Sequence, residues 1–256
     1  SVVMVHDPRP HPGLVGKIIR RFEDPSLWRA ERCMVFSHSL IADLYGRGVQ
    51  AGRISVAPLG LMDYTEGQAL PSPRPQTILF FGRITQYKGI EVLLPAFEQV
   101  QRQFPEARLI LAGSGSLHAY QPVLRRLAGV ELINRWIDED EIHGIFKRAG
   151  IVALPYTSAS QSGVLPIAAS FALPVVATRT GGLPEQLEDG KTGLLVAPGD
   201  AAALAEALQR LLVDPVLAER MGRTLREDYL SARSWERAAE TVLQACRAAL
   251  EHPADL

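Results

Sequence analysis

The stretch Phe81-Gly82-Arg83-Ile84-Thr85-Gln86-Tyr87-Lys88-Gly89 sets two cations five residues apart. It follows an apolar run that reads as a strand and precedes a segment of helical period. At a strand-to-helix turn, Arg83 and Lys88 supply full charge and the helix start supplies unpaired N–H groups. Together they form a cradle for a diphosphate. The same two residues also fit ordinary surface cations at a strand end, and this stretch alone leaves both readings open.

Three further turns share that position after a strand. Tyr156 to Pro166 (Tyr-Thr-Ser-Ala-Ser-Gln-Ser-Gly-Val-Leu-Pro) places hydroxyls and a glycine before an apolar helix. Either its backbone N–H row meets an anion, or it is a well-capped structural helix start in which Gln161 and Ser162 simply satisfy local backbone groups. Leu111-Ala112-Gly113-Ser114-Gly115-Ser116 suggests a dinucleotide turn, but His118 stands where the third glycine of that fingerprint belongs. Glu131 does lie at about the 20-residue spacing of a ribose-binding acid. A tight turn lining a nucleotide pocket is the better reading. Thr180-Gly181-Gly182-Leu183-Pro184-Glu185 ends in a carboxylate at a helix start, where it also complements the helix dipole.

His6, in Val5-His6-Asp7-Pro8, sits at the carboxyl end of a strand, where ligands of α/β proteins gather. His11, His38, His118, His143 and His252 form no metal-ligand spacing, so no metal site is expected. The sequence contains neither a G-x-S-x-G elbow nor a P-loop.

Apolar runs at 2–6, 33–37, 54–57, 77–82, 108–113, 130–134, 151–155, 174–178 and 193–196 predict the strands that position these turns. Near-continuous rather than alternating runs suit a parallel sheet covered on both faces. Between them, 89–104 and 138–149 have helical period, the latter through Ile142, Ile145, Phe146 and Ala149. The expected class is therefore α/β. Pro71, Pro73 and Pro75 mark residues 61–75 as a linker. After it come six strands, enough for a complete doubly wound, Rossmann-like domain at 76–230. Before it, 1–60 has three strands, enough only for part of a second lobe. Residues 201–213 and 235–250 read as helices, and 231–256 as a closing helix.

Composition narrows the function classes. Of 256 residues 47% are hydrophobic, which excludes a disordered chain. The 27 basic and 28 acidic residues give a net charge of −1, with no general pull toward nucleic acid or anionic membrane. Only Cys33 and Cys246 are present, which predicts a reducing, cytoplasmic setting. Lys17-Ile18-Ile19-Arg20-Arg21-Phe22 reads as an amphipathic helix with a solvated face. Its alternative is peripheral contact with anionic lipid at the inner face of the membrane.

Taken in order, these motifs resemble the nucleotide-sugar-binding half of the family-4 (group 1) glycosyltransferases, which have the two-lobed GT-B fold. The run is Phe81-Gly82-Arg83 to Lys88-Gly89, Ala112 to Gly115, Asn134 to Ile137, Leu154-Pro155-Tyr156, Ser160 to Leu165, Pro174 to Thr178, Gly181 to Glu185, and Gly190 to Val196. It covers residues 77–214, and residues 1–60 resemble the end of the acceptor-side domain. The resemblance implies retaining, metal-independent transfer of a sugar from a nucleoside-diphosphate donor, without a cofactor. The acceptor would be a glycolipid, a polysaccharide or a small molecule. Within it, Arg83 and Lys88 match the diphosphate-binding pair, with Gly82 in the same turn. Ser162, Gly163, Val164 and Leu165 match the helix start whose amides meet that diphosphate. Gly113 with Arg135, Trp136 and Ile137 matches the walls of the base pocket. Glu185 belongs to the donor site, and His6 matches a histidine near the sugar.

The sequence departs from the family at two positions that often carry glutamates, here Ala159 and Ile167, and at Ser158, where an acid is frequent. Sugar contacts are then expected from backbone, Ser160 or Gln161. These departures, with the short portion before the linker, keep two alternatives open: a nucleotide-sugar-binding module without catalysis, or a sugar-nucleotide epimerase on the same fold. The abrupt apolar start at Ser1 predicts a missing N-terminal segment of roughly a hundred residues.

Overall fold

The computed structural model describes residues 1–6, 25–65, 67–68 and 75–251. The segment 17–22, Asp7, Pro8, His11, Pro71, Pro73 and His252 lie outside them. The chain divides into two compact units, Ser1–Gly60 with Ala232–Leu256, and Leu61–Ser231.

The first unit holds a parallel three-stranded sheet, β1 (Val2–Met4), β2 (Arg32–Val35) and β3 (Ile54–Val56), in the order β1-β2-β3. Side chains alternate across a strand, and here both faces are apolar. Cys33 and Val35 point into a cluster with Leu27, Leu40, Leu44 and Val49. Met34 points the other way, onto Ala245 and Val242 of the long helix at Trp235–Glu251. That helix buries mainly small residues, Ala238, Ala245 and Ala249, which lets its backbone lie close to the strands.

The second unit is built on six parallel strands: β4 (Thr77–Phe81), β5 (Arg108–Ala112), β6 (Val130–Ile133), β7 (Ile151–Leu154), β8 (Val175–Thr178) and β9 (Leu194–Val196). Their order is β6-β5-β4-β7-β8-β9, the doubly wound arrangement. The four residues Ile151–Leu154 are all buried, as a central strand covered on both faces requires. All nine expected strands are present, each within two residues of its expected start and end.

Helix α1 (Ile90–Gln103) buries Ile90, Leu93, Leu94, Phe97 and Val100, spaced at three and four residues. The segment expected as one helix at 138–149 is instead a 3-10 turn (Glu139–Glu141) followed by α2 (Ile142–Lys147). The short α3 (Val164–Ser170) is wholly buried, and α4 (Leu183–Gln186) is a single turn. Helices α5 (Ala201–Val213) and α6 (Pro215–Ser231) close the unit.

Residues 61–65, expected within a linker, are held on this unit. Asp63 Oδ1 accepts from the Thr65 amide at 2.9 Å and from its hydroxyl at 2.6 Å. The Tyr64 carbonyl lies 2.8 Å from His143 Nδ1. Among the described residues no helix is long and apolar enough to cross a membrane.

Candidate functional site

Strand order decides where the site is. From β4 the chain moves outward to β5 and β6, and from β7 it moves the opposite way to β8 and β9. The loops after β4 and β7 therefore part at the carboxyl edge, and such a switch point leaves a crevice for a ligand. The Arg83–Lys88 turn and the Tyr156–Gly163 turn are the two loops that flank it.

Backbone contacts lace these loops together. Gly82 N–H donates to the Ala112 carbonyl at 2.9 Å, and Ile84 N–H to the Ser114 carbonyl at 2.8 Å. On the other side, Thr157 N–H donates to the Tyr87 carbonyl at 2.8 Å. Two glycines permit the approach. A Cβ at Gly113 (φ 143°) would stand 2.0 Å from the Gly82 carbonyl oxygen, and one at Gly89 (φ 73°) would stand 1.9 Å from that of Pro155. Only glycine accommodates both the space and the dihedral. Gly113 thus has a packing reason independent of any dinucleotide fingerprint. Glu131, once considered for a ribose, is paired with Arg148, whose Nη1 donates to it at 3.0 Å.

The cradle carries two cations without a carboxylate partner among the described residues. Arg83 is exposed. Lys88 is half-buried, and its ammonium lies 3.7 Å above the ring of Tyr156 and 5.4 Å from that of Tyr87. Burial first, and repulsion from Arg83 second, pull the Lys88 pKa down from 10.5 to about 8. Two like charges held together at a partly dry site are costly alone and favour an arriving anion.

Across the crevice, the amide row differs from the sequence expectation. Ser162 is buried and its N–H already donates to Gln186 Oε1 at 2.8 Å. Gln186 Nε2 returns a bond to the Ser162 carbonyl at 3.1 Å and another to the Tyr229 hydroxyl at 3.3 Å. Ser162 is therefore a support rather than an anion donor, and the row begins at Gly163, the cap of α3. The Ser162 hydroxyl accepts from Val164 N–H at 3.3 Å and lies 3.4 Å from the Tyr156 hydroxyl. Leu165 is buried in the core, so only its amide can serve. Ser160 and Gln161 are half-buried in the same turn.

Arg135 is engaged locally. Its guanidinium forms a two-bond pair with Glu141, Nη1 to Oε2 at 2.7 Å, and donates to the Trp136 carbonyl at 3.0 Å. Glu141 in turn accepts from Asp138 N–H at 3.0 Å. Arg135 thus braces the turn after β6. Ile137 packs against the core, whereas Trp136 is 71% exposed at the same edge of the sheet.

Glu185 is half-buried on α4 beside Gln186. Ala159 and Ile167, at the positions where the family often has glutamates, are buried at 7% and 6% exposure. His6 lies in the first unit, exposed, its ring edge-on to Phe36 at 6.4 Å. Among the described residues no group of three or more His, Cys, Asp or Glu side chains is placed to hold a metal ion.

Sequence reasoning missed Gln186. The signal was present: Gln186 stands between the apolar Leu183 and Leu187, both buried, so an amide among leucines had to find buried partners.

A profile of "Glycosyl transferases group 1" matches residues 75–214. The glycogen synthase of Mycobacterium tuberculosis is 29% identical over 222 residues, covering 85% of this chain and 53% of that protein. The D-inositol 3-phosphate glycosyltransferase of Corynebacterium jeikeium is 33% identical over 180 residues, 66% of this chain and 42% of that one. The chain thus spans about half the length of the curated relatives it matches. Among solved structures, Anabaena Alr3699/HepE in complex with UDP-glucose superposes with a TM-score of 0.80 at 19% identity, covering 98% of this chain and 72% of that one. The α/β, GT-B-like class read from the sequence stands.

Proposed function

This chain belongs to the group 1 glycosyl transferases, and on that premise we propose that it binds a nucleoside-diphosphate sugar and serves transfer of the sugar to an acceptor. The observation that carries the reading is the pair Arg83 and Lys88, without carboxylate partners among the described residues, at the switch point of a doubly wound sheet. The solved Anabaena relative holds UDP-glucose, and a donor of that chemical class fits a cradle of two cations facing the start of α3.

In the transfer, the bond from the anomeric carbon to the diphosphate oxygen breaks and a bond to the acceptor oxygen forms. Negative charge grows on the departing diphosphate. Arg83, Lys88 and the amides of Gly163 and Leu165 are fixed donors for that charge, each worth roughly 3–4 kcal/mol of barrier, whereas the Val164 amide is held by the Ser162 hydroxyl. These fixed charges support a metal-independent reaction. Retention of configuration is carried over from the family, as is the place of His6 near the sugar. Gly113, Trp136 and Ile137 would border the base. Residues 76–230 form the donor domain in this proposal and 231–256 the closing helix.

A binding module without catalysis is the second reading. Burial of Ala159 and Ile167 favours it, because neither can hydrogen-bond a sugar through its side chain.

Calorimetric titration with UDP, GDP and ADP and their sugars tests the first step. One nucleoside diphosphate should bind, and Arg83→Ala should weaken it about 10- to 100-fold, the worth of a charge-assisted hydrogen bond. Absence of binding, or an unchanged affinity in the variant, would overturn the assignment. Addition of candidate acceptors, with detection of released nucleoside diphosphate, then separates transferase from module.

A further inference from the structure

Of the 27 basic residues only four are lysines, and one of them is Lys88. Its ammonium has no carboxylate or carbonyl partner among the described residues. What lies against it is the face of Tyr156, with its Nζ 3.7 Å from the ring centroid. A carboxylate there would neutralise the charge and compete with an incoming phosphate. An aromatic face attracts a cation through its quadrupole while leaving the net charge intact.

Tyr156 is fixed in this position. It is fully buried, its carbonyl accepts from the Thr178 hydroxyl at 2.5 Å, and its own hydroxyl lies 3.4 Å from Ser162 Oγ. The neighbouring Thr157 amide and Pro155 carbonyl meet Tyr87 and Gly89, on either side of Lys88. The ring and the lysine thus sit on two loops joined by a backbone hydrogen bond on one flank and closely packed on the other. Through Ser162, whose hydroxyl takes up Val164 N–H, the same tyrosine also adjoins the amide row.

We propose that Tyr156 is a positioning residue for the donor diphosphate: its ring face holds the Lys88 ammonium in place and charged, leaving the N–H groups to the phosphate oxygens. The inference rests on the donor-site reading above and assigns the tyrosine a part in it. The lowered pKa of Lys88 agrees, since a cation that burial and Arg83 both disfavour depends on what little attraction it has.

The test grades the ring face at nearly constant shape. Tyr156→Phe keeps the face, and replacement by mono-, di- and trifluorophenylalanine weakens it in steps. Two readouts are taken: the NMR titration of Lys88 in chain labelled at the lysine ε-carbons, with its signal assigned by loss in Lys88→Arg, and the affinity for UDP, GDP and ADP at pH 8. Across the series the Lys88 midpoint should fall progressively below the starting value of about 8. Diphosphate affinity should fall with it, about three- to tenfold in total.

A flat midpoint and flat affinity would overturn the proposal. So would a moving midpoint with unchanged affinity, which would show that the ring serves the lysine but not the phosphate. If wild-type chain binds none of the three nucleotides, the donor-site reading itself fails and takes the proposal with it. That outcome is recognisable because it requires no substitution.

Discussion

Replacing Gln186 with leucine would remove the clasp behind the amide row while roughly preserving volume. The side chain makes three bonds: Oε1 from Ser162 N–H at 2.8 Å, and Nε2 to the Ser162 carbonyl at 3.1 Å and the Tyr229 hydroxyl at 3.3 Å. Ser162 is 2% exposed and Gln186 5%, so water does not take over. Each buried backbone group left unpaired costs about 1–3 kcal/mol, and two are orphaned. Added apolar burial returns about 1 kcal/mol, so a net loss of about 1–5 kcal/mol is expected. That is a large share of the roughly 5–15 kcal/mol that holds a domain together. Urea unfolding followed by far-UV circular dichroism should show the midpoint drop by about 0.5–2.5 M, given a slope near 2 kcal/mol per M. Amide exchange at Ser162 should accelerate under native conditions. A loss below about 1 kcal/mol with Ser162 still protected would refute the claim that this clasp holds the turn.

The titration of Lys88 gives opposite signs for stability and for binding. Its folded pKa of about 8 lies below the ordinary 10.5, so between those values the unfolded chain holds more protons and stability rises with pH. Urea midpoints at pH 7.5 and 9.5 should reveal that rise in wild type and its loss in Lys88→Met. Diphosphate affinity should instead decline as pH rises through about 8, a limb that Lys88→Arg abolishes in titration calorimetry. Gly89→Ala would drive a methyl to 1.9 Å from the Pro155 carbonyl oxygen at φ 73°; thermal unfolding should register a loss of about 3 kcal/mol or more, with diphosphate binding disrupted. Trp136→Ala, at a 71% exposed position, should change stability by less than about 0.5 kcal/mol. It should still weaken nucleoside binding, as titration with free nucleosides would show.

The strands were legible because each is a short apolar run closed by a glycine, a proline or a polar turn, as in Thr77–Phe81 before Gly82. Fold class followed from their alternation with helical segments. The Arg83–Lys88 turn was legible because its charges stand out locally. What escaped were pairings between distant residues. Gln186 and Ser162 are 24 apart and Tyr156 and Lys88 are 68 apart, and neither pair has a local pattern that marks it. The pairing of Arg135 with Glu141, six residues on, was likewise not marked by any local pattern. Ser162 was expected to offer its amide because the resemblance places it at the helix start that meets the diphosphate. Here a side chain from another strand-to-helix turn reached it first.

The division of the chain also bears on the order in which its parts are made. The second unit is one continuous stretch from residue 61 to 231, whereas the first is assembled from 1–60 and 232–256. During synthesis the six-stranded unit can complete its core as soon as its own residues have emerged. The three earlier strands cannot, because Met34 and Val2 find their cover in Val242 and Ala245, made some two hundred residues later. The earlier-made of these two units therefore completes its core after the later one. Shortening the chain ahead of residue 232 would keep that core from closing, which is a route to aggregation that leaves the donor cradle itself untouched.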